Sequence, residues 1–413
     1  MRFLLFLRQG SGGDFGRMAA EKGDKMDIRK FSPYIFSFGH FVNDWCQGAI
    51  PALLPYFIVH YGLSYKEAGT IIFMNVLIAS VVQPLFGYYS DRISRPWFVL
   101  LGPLLCGTAV TAMGFVDSYP LILAAALVGG VGTSLFHPEA ALMVNRFSGK
   151  AKGKAMGIFA VGGNAGFGVG PLMAGFCAYH LGIRSLVLMG AINVLAVLLL
   201  FAAINKLTAA ETEEEIREKK KAAQAAENDW VSFGKLSFCI LARSAGFMLS
   251  NTFIPLLWIY ILHGEASQGT TALSALFLMG ACCTYIGGLL ADKIGFRKVI
   301  LIAFAIEIPT YFLLTNTDSM LLVMLLLVPA AMSVFSPFSP MVVLGQNYLA
   351  KNAGFASGVT LGLSTTLGGM VTPLVGWAAD TWGLQTALQA LWIAGVIGLA
   401  AGFTLPDDRR KEA

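Results

Sequence analysis

Gly129-Gly130-Val131-Gly132-Thr133-Ser134-Leu135-Phe136-His137-Pro138-Glu139 sets a histidine and a carboxylic acid inside a stretch otherwise apolar enough to cross a bilayer. An ionised carboxylate is costly to bury in hydrocarbon, so an acid at that depth is paired, protonated or turned toward water. It marks a functional site by default. Pro138 leaves the carbonyl of Ser134 without its helical partner, and the small residues nearby let another helix approach closely. The stretch therefore predicts a bent helix that lines a cavity.

The surrounding composition fits a membrane setting. Of 413 residues, 56% are hydrophobic and 13% are charged, and the mean hydropathy of +0.67 excludes a soluble globular domain. The six cysteines, Cys46, Cys106, Cys177, Cys239, Cys282 and Cys283, all lie in apolar segments without paired-ligand spacing. Neither a disulfide framework nor a metal site is expected from them. No Walker loop, dinucleotide fingerprint or HExxH motif occurs, so no cofactor and no enzyme activity are expected.

Apolar stretches of roughly 20 residues predict twelve transmembrane helices, near 33–59, 66–89, 97–116, 119–146, 153–180, 184–205, 234–262, 270–291, 298–316, 319–348, 353–381 and 384–405. The expected fold is an all-α membrane protein of two six-helix bundles, over 33–205 and 234–405. Tails over 1–32 and 406–413 flank them, and a linker over 206–233 joins them. The linker's Glu213–Glu215 and Lys219–Lys221 runs suit a solvated helical spacer. On this layout 26 of the 29 basic residues fall on one side; Lys66 and Arg184 lie opposite, and Arg243 lies inside a span. The positive-inside rule then puts both termini in the cytoplasm, with the chain in the plasma membrane. It also accounts for the net charge of +5 without a nucleic-acid partner.

The chain also repeats itself at an offset of roughly 200 residues. Gly87-Tyr-Tyr-Ser-Asp91-Arg92 returns as Gly288-Leu-Leu-Ala-Asp292-Lys293, and Phe136-His-Pro138 returns as Phe338-Ser-Pro340. Ile50-Pro51 with Leu53-Leu54 answers Ile254-Pro255-Leu256-Leu257, Asn145 answers Asn347, and Pro171 answers Pro373. Matches in constant order and spacing indicate a duplicated six-helix unit.

With these motifs the sequence resembles the major facilitator superfamily from Pro33 to Leu405. The loop over 87–95 is similar to that family's Gly-x-x-x-Asp-Arg loop, with Ser94 at the usual glycine; its repeat, Gly288 to Lys298, fits more fully. The resemblance implies a charge latch, in which Asp91 pairs with an arginine across the interface between halves, and a gating role for Gly87, Arg92, Gly288, Asp292 and Arg297. Gly157, Gly166, Gly170-Pro171 and Ala174-Gly175 resemble the superfamily's antiporter motif, a flat stripe bent by proline. A purely structural packing face explains that stripe as well. Gly39-His40-Phe41-Val42-Asn43-Asp44, Gln83-Pro84-Leu85-Phe86-Gly87, Phe136-His137-Pro138-Glu139 and Gly162-Gly163-Asn164 together resemble the fosmidomycin resistance family of proton-driven efflux pumps.

Buried polar residues supply candidate sites. His40, Asp44 and Gln47 share one helical face, and at 1.5 Å per residue His40 and Glu139 each lie roughly 10 Å from the same membrane face. The family resemblance implies that helices 1 and 4 line one central cavity, and on that basis Asp44, Glu139 and His40 are the expected proton carriers. His137, about 200° around the helix from Glu139, is expected to turn to a neighbouring helix as a structural residue. Arg243 is expected to face the cavity opposite helix 1, either as an anion ligand or in an ion pair. Asn43, Gln47, Phe136, Asn164 and Asn251 complete the expected substrate-binding set, and Glu307 is expected to be structural. The expected activity is proton-coupled antiport of a small drug-like or phosphonate compound by a monomer in the lipid bilayer. Symport of a small organic anion and a transport-inactive membrane receptor are the alternatives.

Overall fold

The computed structural model describes residues 28–407 except 64, 94–95, 211–213, 215–217, 219–220, 222–224 and 265. Ser94, most of both tails and most of the linker's charge runs lie outside the described residues. Among those described, the chain is helical without a strand, and its one isolated bridge joins Asn228 to Leu349.

Twelve spans follow in order: α1 (Ser32–Tyr61), α2 (Thr70–Arg92), α3 (Phe98–Met113), α4 (Tyr119–Phe147), α5 (Lys152–Leu181), α6 (Ile183–Ala209), α7 (Trp230–Tyr260), α8 (Thr271–Ile294), α9 (Phe296–Thr315), α10 (Met320–Tyr348), α11 (Ala350–Trp382) and α12 (Leu384–Phe403). Ten of them are long and apolar enough to cross a membrane, α3 is a shorter apolar helix, and α1 has 30 residues and carries the polar stripe. Gly62 ends α1 at φ 69°, a left-handed conformation that glycine adopts without a Cβ clash. The chain bends at Val82 in α2 and turns at Ser336-Pro337 in α10, each beside a proline with no N–H for the helical ladder. Pro138 by contrast does not interrupt α4, which stays one helix of 29 residues.

The helices form two six-helix bundles, each with two apolar layers around a polar stratum. In the first, Trp45, Ile50, Phe57, Met113 and Ile122 belong to one layer. Phe36, Phe136, Val144, Phe159 and Ile204 belong to the other, which reaches α10 at Val342 and Val343. His40, Asn43, Asp44 and Gln47 are buried between them. In the second bundle Arg243 and Glu307 lie between the layer of Leu236, Ile240 and Phe304 and that of Leu249, Tyr311 and Leu327. Burying polar groups at mid-depth is costly unless they are paired or turned to water, so the two strata are where function is to be sought.

Candidate functional site

Asp44 stands about 18 Å of helix rise from the start of α1, at 1.5 Å per residue, and is 3% exposed. Its carboxylate joins two histidines: Oδ2 lies 3.1 Å from His40 Nε2, and Oδ1 lies 3.2 Å from His137 Nε2 on α4. Asn43 donates from Nδ2 to Oδ1 at 2.9 Å. His40 is held from behind, with Nδ1 at 2.8 Å from the carbonyl of Phe159 and its ring stacked on the Phe159 ring at 4.1 Å. Gly163 on α5 makes room for that ring, because a Cβ there would lie 2.4 Å from Nε2. A carbonyl only accepts, so the hydrogen of a neutral His40 sits on Nδ1 and its Nε2 lone pair faces the carboxylate. That contact requires a cation between the two groups, a proton in the simplest case.

His137 therefore belongs to the cluster, against the expectation of a structural role away from it, and Glu139 does not. The 200° separation is real, but it turns Glu139 toward α2, with Ser90 beside its carboxyl and Arg146 and Asp91 acting on it electrostatically. Glu139 is 1% exposed and its Oε2 has no hydrogen-bond partner. Helix rise puts His137 about 15 Å from the end of α4, close to the depth of Asp44, but depth alone does not separate it from Glu139 two residues on.

The expected substrate residues divide similarly. Asn43 and Gln47 are engaged within the first bundle, Gln47 donating to the carbonyl of Gly129 at 3.1 Å. Phe136, expected to line a cavity, is instead fully buried among Phe36, Val99 and Phe159. Asn164 is half-buried and Asn251 is exposed.

The contacts described for Arg243 lie in its own half and not with α1. Its Nε donates to the Val334 carbonyl of α10 at 2.9 Å, and its guanidinium lies 4.8 Å from the centroid of Phe338 and 5.2 Å from that of Phe247. The acid that acts on it electrostatically is Glu307 of its own bundle. Glu307 is fully buried, neither carboxyl oxygen has a hydrogen-bond partner, and it is wedged between Gly246 of α7 and Gly395 of α12. The first bundle solves the same position by exchange: Asn193 of α6 packs on Gly107 of α3, accepts from Trp45 Nε1 at 2.6 Å and donates to the Pro103 carbonyl at 2.7 Å. One side chain fits behind the first helix of each half, so the facing helix carries glycine. Gly395→Val is expected to overpack this site and to destabilise the protein by about 1–3 kcal/mol, seen as a lower melting temperature in detergent; an unchanged melt would mean that Glu307 moves aside freely.

The halves meet through two matching contacts at the terminal face, where α1 begins and α12 ends. Asp91, at the end of α2, accepts from the backbone N–H of Gly354 at 2.6 Å and of Phe355 at 3.0 Å, at the start of α11. Asp292, at the end of α8, accepts from Gly153 and Lys154 at the start of α5, both at 2.8 Å. Helix N-termini present unpaired donors and partial positive charge, so each carboxylate caps a helix of the opposite half. The expected Asp91–arginine pair is not the contact made. Arg92 folds back over the Tyr88 ring at 4.1 Å, and Arg297 donates to the Phe403 carbonyl at 3.1 Å. Gly87 approaches the Gly354 carbonyl so closely that a Cβ would lie 2.1 Å from its oxygen, and the corresponding distance from Gly288 to the Gly153 oxygen is 2.2 Å. Nearby, Asn145 hydrogen-bonds Gln346 across the same interface. The antiporter-like glycines divide: Gly157 faces α8 of the other half, whereas Gly166 and Gly170, the latter followed by Pro171, lie against the α1 backbone at Phe41 and Trp45. The backbone partners of the two aspartates carry no side-chain signature, which is why sequence motifs did not reveal them.

Two duplicated bundles, each with a buried polar stratum, joined by paired contacts at one face, are the architecture of a polytopic secondary transporter. The chain belongs to the Major Facilitator Superfamily, whose sequence description matches residues 36–237 and again 236–413, one match per half. It is 29% identical over 382 residues to an uncharacterised MFS-type transporter, YfnC, of Bacillus subtilis, spanning 91% of this chain and 93% of that one. It is 27% identical to the fosmidomycin resistance protein of Escherichia coli, with 91% and 93% covered. It is 22% identical to the multi-drug resistance efflux pump PmrA of Streptococcus pneumoniae, with 86% and 90% covered. The crystal structure of the transporter FucP in the outward conformation superposes with a TM-score of 0.74 at 12% identity, over 92% of this chain and 100% of that one. The protein is thus a multi-pass membrane transporter and not an enzyme.

Proposed function

We propose that the chain is a proton-coupled antiporter of the plasma membrane that exports a small drug-like or phosphonate compound by alternating access, working as a monomer with both termini in the cytoplasm. The observation that carries the coupling is the His40–Asp44–His137 cluster, a buried carboxylate that needs a cation between itself and an oriented imidazole. Asp44 and His40 take up the proton, His137 holds the second carboxylate oxygen, and Glu139 is a further carrier nearer the terminal face. Gly87, Asp91, Gly288 and Asp292 close that face. The relatives named for fosmidomycin and multidrug resistance support export. Symport of an anion would gain from direct charge exchange between Arg243 and Asp44, and the two groups have different partners here.

Direction is tested in proteoliposomes with an imposed pH gradient: gradient-driven efflux of fosmidomycin is expected, and uptake driven by outside acid without efflux would overturn antiport. Substrate charge is tested at Arg243, which stays protonated and can fork to a phosphonate once the bundles move. Arg243→Gln is expected to weaken binding of fosmidomycin about tenfold or more, one charge-assisted bond of about 1.5–3 kcal/mol, and to leave a neutral compound unaffected. Equal loss for both would assign Arg243 to holding α7 against α10.

A further inference from the structure

We propose that His40, Asp44 and His137 also form a binding site for a divalent transition-metal ion of the zinc class. Among the described residues, their three ligand atoms are the group that lies within 4.8 Å of one another. The carboxylate contacts of 3.1 and 3.2 Å are close to the separation of about 3.4 Å between ligands held about 2.1 Å from a tetrahedral ion. Two imidazoles and one carboxylate suit zinc, cobalt and nickel, whereas magnesium and calcium ask for oxygen alone.

The outer contacts are those that such a site needs. The Phe159 carbonyl takes the Nδ1 hydrogen of His40 at 2.8 Å, which leaves Nε2 as the ligating nitrogen and fixes the ring in line with Asp44. Asn43 orients the carboxylate at 2.9 Å, and Gly163 with Phe159 keeps the His40 ring in one position. Two neutral imidazoles and a carboxylate sum to one negative charge, which a divalent ion reverses. Three protein ligands leave a fourth position for water or for a donor atom of the cargo. Both ligand-bearing helices belong to the first bundle, so the ion ties α1 to α4 and takes the place of the cation that the His40–Asp44 contact requires. Zinc is therefore expected to inhibit gradient-driven transport.

The test is cobalt titration of the untagged, purified, detergent-solubilised chain, followed by visible absorption. One saturable site per chain with the band intensity of tetrahedral Co2+, displaced by Zn2+, is expected. His40→Ala and Asp44→Asn should each weaken it at least about 10- to 100-fold. His137→Cys should keep the site and add a thiolate-to-cobalt charge-transfer band over the spectrum of the wild type, whose six cysteines are present in both proteins; the added band places metal at that position and also reports a folded variant. No saturable Co2+ binding by the wild type, or binding of unchanged affinity in His40→Ala, overturns the site. Binding is read without transport, so failure of the metal site and failure of proton coupling are separate outcomes.

Discussion

Asp44→Asn is expected to abolish accumulation of substrate against a pH gradient, to the level of protein-free vesicles, while substrate-for-substrate exchange continues. The carboxylate is 3% exposed, and its contact with His40 Nε2 at 3.1 Å is stable only with a cation between two electron-rich atoms, because the Phe159 carbonyl already takes the Nδ1 hydrogen. An asparagine has nearly the same shape but brings its own N–H, which can donate to the neutral imidazole. The contact then survives without the proton, and the transport cycle loses the step that binds and releases one. The measurement pairs pH-driven accumulation with counterflow in the same proteoliposomes. Wild-type pH dependence in Asp44→Asn would remove Asp44 from the coupling mechanism. Glu139→Gln, assayed in the same way, is also expected to abolish accumulation while sparing exchange; accumulation at the wild-type level would remove Glu139 from the proton path and leave the histidine–aspartate cluster as sufficient.

Gly87→Val is expected to open the terminal face and to stop transport. The added Cβ would meet the Gly354 carbonyl at 2.1 Å, a backbone atom that cannot rotate away. Parting the helices breaks both Asp91 bonds to the α11 N-terminus. Two charge-assisted hydrogen bonds at about 1.5 kcal/mol each amount to a shift of roughly 100-fold in the equilibrium between closed and open faces. Gly288→Val should act alike through Asp292, since the second contact repeats the first. The readout is alkylation of Asn145→Cys, a half-buried interface position, by a membrane-impermeant maleimide added at the terminal face. Faster alkylation in the Gly87→Val background is expected; an unchanged rate would show that the glycine approach does not keep this face shut.

The helices, their number and the duplication were legible in the sequence because each is a local or periodic property. About 20 apolar residues must become a helix in lipid, where every backbone group has to be satisfied within its own segment. The motifs around Asp91 and Asp292 likewise marked where the halves would meet. The identities of the partners were a different matter. Asp91 was expected to find an arginine, yet it meets two backbone N–H groups at the start of α11, and a backbone donor leaves no trace in residue type.

The polar residues show the same division more sharply. Sequence alone determined that His40, Asp44, His137, Glu139, Arg243 and Glu307 would lie inside the membrane, because helix rise fixes depth along the axis. Only the tertiary structure decided which of them touch, because rotation about each axis is set by packing against residues about 90 or more positions away. Gly163 and Phe159 on α5 fix the His40 ring, which selects His137 over Glu139 as the partner of Asp44; Val334 and Phe338 on α10 hold Arg243 within its own half.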